Sequence, residues 1–126
     1  MWAHDEVLAA AYRMVPDTKR KSFHLLLGSR IFLRTSSAEL DAHLFTIVEN
    51  MNIGIRLIKS KEQRLEVAGL NLRAGQLAIA SSSSNSASKY LMVGISLLPD
   101  NSWAEEYELT LRLFETGEII FGVFCY

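Results

Sequence analysis

The sequence predicts an α+β fold, with two helices packed on one face of a mainly antiparallel, twisted sheet of about five to seven strands. Apolar residues alternate with polar residues between 107 and 113, a pattern typical of a half-buried strand. After a short connection, the run IIFGVFCY at 119–126 is apolar on both faces, which is typical of a strand covered on both sides. Strand-like segments outnumber helical ones, and short connections join them.

Two segments have the spacing of helices. The first, 4–15, keeps its apolar residues three and four apart, has acidic residues in its first turn, and ends at Pro16. The second, 37–51, follows Ser36 and Glu39, which form the sequence pattern of a capping box. Its apolar stripe consists of Leu40, Leu44, Ile47, Val48 and Met51.

The remaining segments are predicted to be strands or loops. Residues 22–34 form either one strand bent at Gly28 or two strands that turn there. The polar stretch SSSSNSAS at 81–88 is predicted to be a mobile loop between strands. The other predicted strands span 53–58, 65–80, 90–98, 107–114 and 119–126.

Composition indicates one globular domain, residues 1–126. Of its 126 residues, 49% are hydrophobic and 21% are charged, which excludes wholesale disorder. One cysteine, Cys125, excludes an internal disulfide and favours a reducing compartment. The N-terminus is acidic where a secretory signal would be basic, and the longest apolar run is far shorter than the ~20 residues of a membrane helix. The prediction is a cytoplasmic protein.

No motif indicates catalysis, a metal or a cofactor. The histidines His4, His24 and His43 have no metal-ligand spacing, and the glycines form no phosphate-binding loop. Cys125 lies in an apolar run, where burial makes a thiol unreactive. The acidic group Glu105, Glu106 and Glu108 lies in a segment where glutamates are ordinarily solvated. We therefore predict no catalytic residue, no metal, no cofactor and no enzymatic activity.

Basic residues predominate in the segments 13–34 and 53–98 and acidic residues in 99–126, although the net charge is only −1. Such a chain either pairs head to tail with another copy, or its opposite charges meet within one folded monomer. The basic clusters also suggest a patch for RNA or an anionic membrane surface. That predicted patch consists of Arg13, Lys19, Arg20, Lys21, Arg56, Lys59, Lys61 and Arg64.

The leading functional hypothesis is a non-catalytic interaction or assembly module that associates with itself through apolar strands, with another protein as a further partner. Aromatic residues are enriched in such interfaces, and the predicted anchors are Phe45, Phe121, Phe124 and Tyr126. The basic patch is one alternative. The other is a small-ligand binder or enzyme with a pocket between sheet and helices, in which His24 or His43 and a glutamate supply polar groups.

Overall fold

The computed structural model describes residues 9–10 and 13–121, and within these residues the regular structure is helical, with no strand. Short 3-10 turns occupy Asp17–Lys19 and Ile55–Leu57. The helices are α1 (Arg20–Arg34), α2 (Leu40–Ile53), α3 (Lys61–Ala80), α4 (Ser84–Ser96), α5 (Ser102–Glu105) and α6 (Tyr107–Phe121).

The helices pack as successive pairs. The most extensive contacts join α1 to α2 and α3 to α4, and the short connections within each pair make the two helices antiparallel neighbours. The two pairs meet mainly where α2 contacts α3, and α6 packs on α4 and α3. Helix α1 therefore lies at one end of the stack and α6 at the other.

Helical periodicity explains the buried positions. In α4 the buried residues are Ala87, Tyr90, Leu91, Gly94 and, just past its end, Leu97, which recur every three or four residues as one face of a helix requires. Helices α2 and α3 contribute most of the remaining core. Its fully buried apolar side chains there are Leu44, Ile47, Val48, Ala68, Ala74 and Ala78.

Small residues let the paired helices approach closely. A Cβ atom on Gly28 would lie 2.8 Å from the Ile47 carbonyl oxygen and 3.0 Å from the Met51 nitrogen, so α1 rests on the backbone of α2. A Cβ atom on Gly75 would lie 2.7 Å from Leu91 Cδ2, so α3 and α4 pack in the same manner. These glycines set the distance between helices and are not strand bends.

A buried amide pair joins the two helix pairs. Asn52 Nδ2 donates to Asn71 Oδ1 at 2.8 Å, and Asn71 Nδ2 donates to Asn52 Oδ1 at 3.0 Å. Asn71 is fully buried in α3 and also donates to the Val67 carbonyl oxygen at 3.0 Å. Because its amide groups are satisfied, the burial of this polar side chain is compatible with a stable core.

The predicted α+β fold with an antiparallel sheet is wrong. The segments 22–34, 65–80 and 107–114 lie within helices α1, α3 and α6, and 90–98 lies in α4 as far as Ser96. The segment 53–58 is a helix end with a 3-10 turn. The prediction failed because glycine, alanine and threonine occupy core positions of these helices, so the 3.6-residue period was hidden when only large apolar residues were considered. The terminal strand 119–126 is helical as far as 121, and its remainder lies outside the described residues.

The predicted helix at 37–51 is correct in kind and place, with bounds of 40 and 53. Its capping box differs, since Ser36 Oγ donates to Glu39 Oε1 at 3.0 Å instead of accepting from a backbone amide. The predicted loop 81–88 is much shorter, because α4 begins at Ser84. The first predicted helix, 4–15, lies partly outside the described residues. Within that segment, residues 9–10 and 13–14 are described and helical.

A search of residues 9–10 and 13–121 finds no helix with the length and apolar character needed to cross a lipid bilayer.

Candidate binding groove

An open groove of about 760 Å³ lies between α2 and α4. Its α2 wall is formed by Glu49, Asn52 and Ile53, which are three and four residues apart on one helix face. Its α4 wall is formed by Ser86, Lys89, Tyr90, Met92 and Val93. Helices α2 and α4 both pack on α3, α4 closely at Gly75, and they form the two walls of the groove.

Aromatic stacking closes one end of the groove. The rings of Phe45 and Tyr90 are 5.5 Å apart between centroids and inclined by only 17°, so they stack across the space between α2 and α4. A smaller cavity of about 270 Å³ continues beyond them, toward the serines that precede and begin α4. Both cavities share Glu49, Ser86 and Tyr90.

A hydrogen bond between a phenol and a carboxylate lies at the wall of the groove. The Tyr90 hydroxyl donates to Glu49 Oε1 at 3.2 Å. Burial of the phenol, together with the negative charge of Glu49, raises the pKa of Tyr90 to about 12. The Tyr90 phenol therefore keeps its proton, and with it the hydrogen bond to Glu49, into the alkaline pH range.

The groove is predominantly apolar and open to solvent. Ile53 is 49% exposed and Met92 is 62% exposed, one on each wall. Glu49 and Lys89 supply one negative and one positive group. Within the described residues, no group of three His, Cys, Asp or Glu side chains is placed to hold a metal ion. This combination suits the binding of an amphipathic surface.

The predicted interface residues are only partly described. Phe45 is half-buried in the stack with Tyr90, and it lines the smaller cavity as part of α2. Phe121 is the last residue of α6, and its side chain is not among those described. Phe124 and Tyr126 lie outside the described residues. Contact through apolar strands is excluded for the described segments, because these are helices.

The structure brings part of the predicted basic patch together. Lys19, Arg20 and Lys21 lie at the start of α1, and the 3-10 turn that carries Arg56 packs against that helix. Gly54, just before the turn, abuts the Lys21 carbonyl oxygen, so the two basic clusters meet at one end of the first helix pair. Arg20 is paired with Asp17 at 2.9 Å. Lys59 follows the turn and is exposed, and Arg13 lies before Pro16.

The other two members of that patch are directed elsewhere. Lys61 Nζ donates to Glu105 Oε2 at 2.8 Å, which ties the start of α3 to α5. This hydrogen bond, strengthened by charge attraction, raises the pKa of Lys61 and lowers the pKa of Glu105. Arg64 donates to the Ser96 carbonyl oxygen at 3.3 Å, at the end of α4.

Neither histidine proposed for a pocket lines the groove. His24 Nδ1 lies 2.8 Å from Asn50 Oδ1, in a contact between α1 and α2, and His43 is exposed on α2. Cys125 lies outside the described residues. Sequence reasoning missed Glu49, Lys89, Tyr90 and Met92 because it placed the last three in or beside a strand. The spacing of Ser86, Lys89, Tyr90 and Val93 on a helix is the signal that would have found one wall.

Comparison with known proteins gives one distant similarity. The chain is 24% identical, over an alignment 137 positions long with gaps included, to hybrid signal transduction histidine kinase G of Dictyostelium discoideum. The alignment covers 90% of this chain but only 4% of that protein. No family model matches the chain, and no solved structure matches it significantly.

Proposed function

We propose that this chain is a non-catalytic helical interaction segment of a signalling protein, and that its α2–α4 groove binds an amphipathic helix of a partner protein. The observation that carries the proposal is an apolar groove whose two walls expose Ile53 and Met92. An amphipathic helix commonly binds by laying its apolar face into a groove of this kind. Flexible methionine side chains adapt to such partners.

The construction of the second helix pair supports this role. Gly75, Ala87 and Pro99 follow the order of the glycine, alanine and proline in the tetratricopeptide pattern. The tryptophan, leucine, tyrosine and phenylalanine of that pattern are replaced here by Asn71, Ala74, Ala78 and Leu91. Proteins built from stacked helix pairs use their extended surfaces for binding. The similarity to part of a protein named for signal transduction supports a signalling context.

The test is to select helical peptides from a display library for binding to the whole chain, and then to measure their affinities by calorimetry. We expect selected peptides to lose about tenfold or more in affinity for Met92→Glu, because a charge placed on the apolar wall must be desolvated. Met14→Glu is the matched control, since Met14 is 83% exposed, lies before α1 and does not line the groove. Peptides that bind both variants as tightly as the wild type would contradict the proposal.

A further inference from the structure

The two ends of the helix stack carry complementary surfaces. At one end, α1 packs mainly on α2, and its outward face exposes Leu26, Arg30 and Leu33. The two leucines are 55% and 81% exposed, and a basic residue stands between them. We name this surface the basic face. Lys21 and Arg34, which are also exposed on α1, add positive charge beside it.

At the other end, the outward face of α6 is mainly acidic. Glu108, Glu115 and Ile119 are exposed there, with Ile119 72% exposed. Arg112 lies on the same face but pairs with Glu108 at 3.6 Å, so Glu115 supplies negative charge that this pair does not offset. We name this surface the acidic face.

We propose that the basic face of one copy binds the acidic face of a second copy, with α1 and α6 antiparallel. The spacing of the residues supports this register. Arg30 and Leu26 are four residues apart, as are Glu115 and Ile119, and four residues span about 6 Å along a helix. An antiparallel alignment that sets Arg30 against Glu115 therefore also sets Leu26 against Ile119.

The same register extends in the other direction. Leu33 lies three residues after Arg30, and in this register it lies opposite Arg112, the exposed residue of the acidic face that pairs with Glu108. The contact thus consists of an ion pair between Arg30 and Glu115, with the apolar pair of Leu26 and Ile119 on one side of it and the aliphatic stem of Arg112 against Leu33 on the other. Because the two faces differ, this contact is heterologous, and it allows assemblies longer than a dimer.

The test uses charge reversal and light scattering. The Arg30→Glu variant has an acidic residue at both contact positions, and the Glu115→Lys variant has a basic residue at both. Each variant alone should associate about tenfold or more weakly than the wild type at low salt, because like charges face each other. An equimolar mixture of the two variants should associate again, since every contact then pairs opposite charges.

Glu66→Lys is the control, because Glu66 is exposed on α3 and belongs to neither face. It should associate as the wild type does, and circular dichroism should show that all the variants keep their helix content. A wild type that stays monomeric from micromolar to millimolar concentration at low salt would overturn the proposal. So would a mixture that fails to associate, or a control that dissociates equally. The contact is separate from the α2–α4 groove, so each of these results would leave peptide binding in the groove as an independent question.

Discussion

The Tyr90 side chain contributes both a packing contact and a hydrogen bond to the groove. Its ring stacks on Phe45 and its hydroxyl donates to Glu49, so the same residue closes the groove and holds a carboxylate at its wall. Sequence reasoning assigned Tyr90 to a strand and gave it no role. A tyrosine is apolar over most of its surface, and only the three-dimensional structure shows which acceptor its hydroxyl reaches.

We predict that Tyr90 makes the unfolding free energy depend on pH in the alkaline range. The pKa is about 12 in the folded chain and near 10.0 when the side chain is solvated. Between these values the unfolded chain releases the proton while the folded chain retains it, so the unfolding free energy falls as the pH rises through this range. Denaturant unfolding between pH 9 and pH 12 should show a smaller decline for Tyr90→Phe.

Ultraviolet titration of the tyrosinates supplies the control for this prediction. The chain has four tyrosines, and the phase near pH 12 should disappear in Tyr90→Phe and persist in Tyr107→Phe, whose side chain is exposed. An alkaline phase that is unchanged in Tyr90→Phe would assign the raised pKa to another residue.

At the scale of elements, large apolar residues made one helix predictable. Leu44, Ile47, Val48 and Met51 form a stripe on α2 that only a helix produces, and all four are buried. In α3 the core face consists largely of small or polar residues such as Ala74, and in α4 it includes Ala87 and Gly94. Such residues carry little weight in a hydrophobic pattern, so part of the helical period was overlooked.

The prediction of a strand in the segment that forms α6 was wrong for a related reason. Between 107 and 113 the polar residues alternate with apolar ones, so Thr110 was placed on the solvent side of a strand. Thr110 is in fact fully buried in α6, and its hydroxyl donates to the Glu106 carbonyl oxygen at 2.6 Å. A threonine can satisfy its hydroxyl within its own helix, so its polarity does not show that it is exposed. The candidate groove was unpredictable once its α4 wall had been assigned to a strand.

Glycine substitutions provide the prediction at this scale. Gly28→Ala should lower the unfolding free energy by about 1–3 kcal/mol, because the new methyl group would meet the backbone of α2. Gly69→Ala should raise it by about 0.5–1 kcal/mol, because the new methyl group would meet no atom within 4 Å beyond the adjoining backbone of α3 and alanine favours a helix. Urea unfolding of both variants checks the prediction, and effects of equal sign would contradict it.

At the scale of the whole molecule, each helix packs mainly on its neighbours in the stack. Helix α1 depends mainly on α2, whereas α6 depends on α4 and α3, and the Asn52–Asn71 amide pair is a polar link between the two helix pairs. In stacked helical proteins, stability is approximately the sum of the unit stabilities and the interfaces between neighbours. The same arrangement places two different helix faces at the ends of the stack, the basic face of α1 and the acidic face of α6.

This arrangement predicts that a destabilising substitution at one end of the stack affects only the helices at that end. In Gly28→Ala the strain lies between α1 and α2, so hydrogen exchange measured by mass spectrometry should accelerate in residues 20–53. Residues 61–121 should keep most of their protection, because α3, α4 and α6 retain their contacts with one another. Gly69→Ala controls for the effect of substituting a glycine, and it should accelerate exchange in neither region. Uniform acceleration across 20–121 in Gly28→Ala would instead show that the helices unfold as one cooperative unit, since loss of the α1–α2 packing would then reach helices that do not touch it.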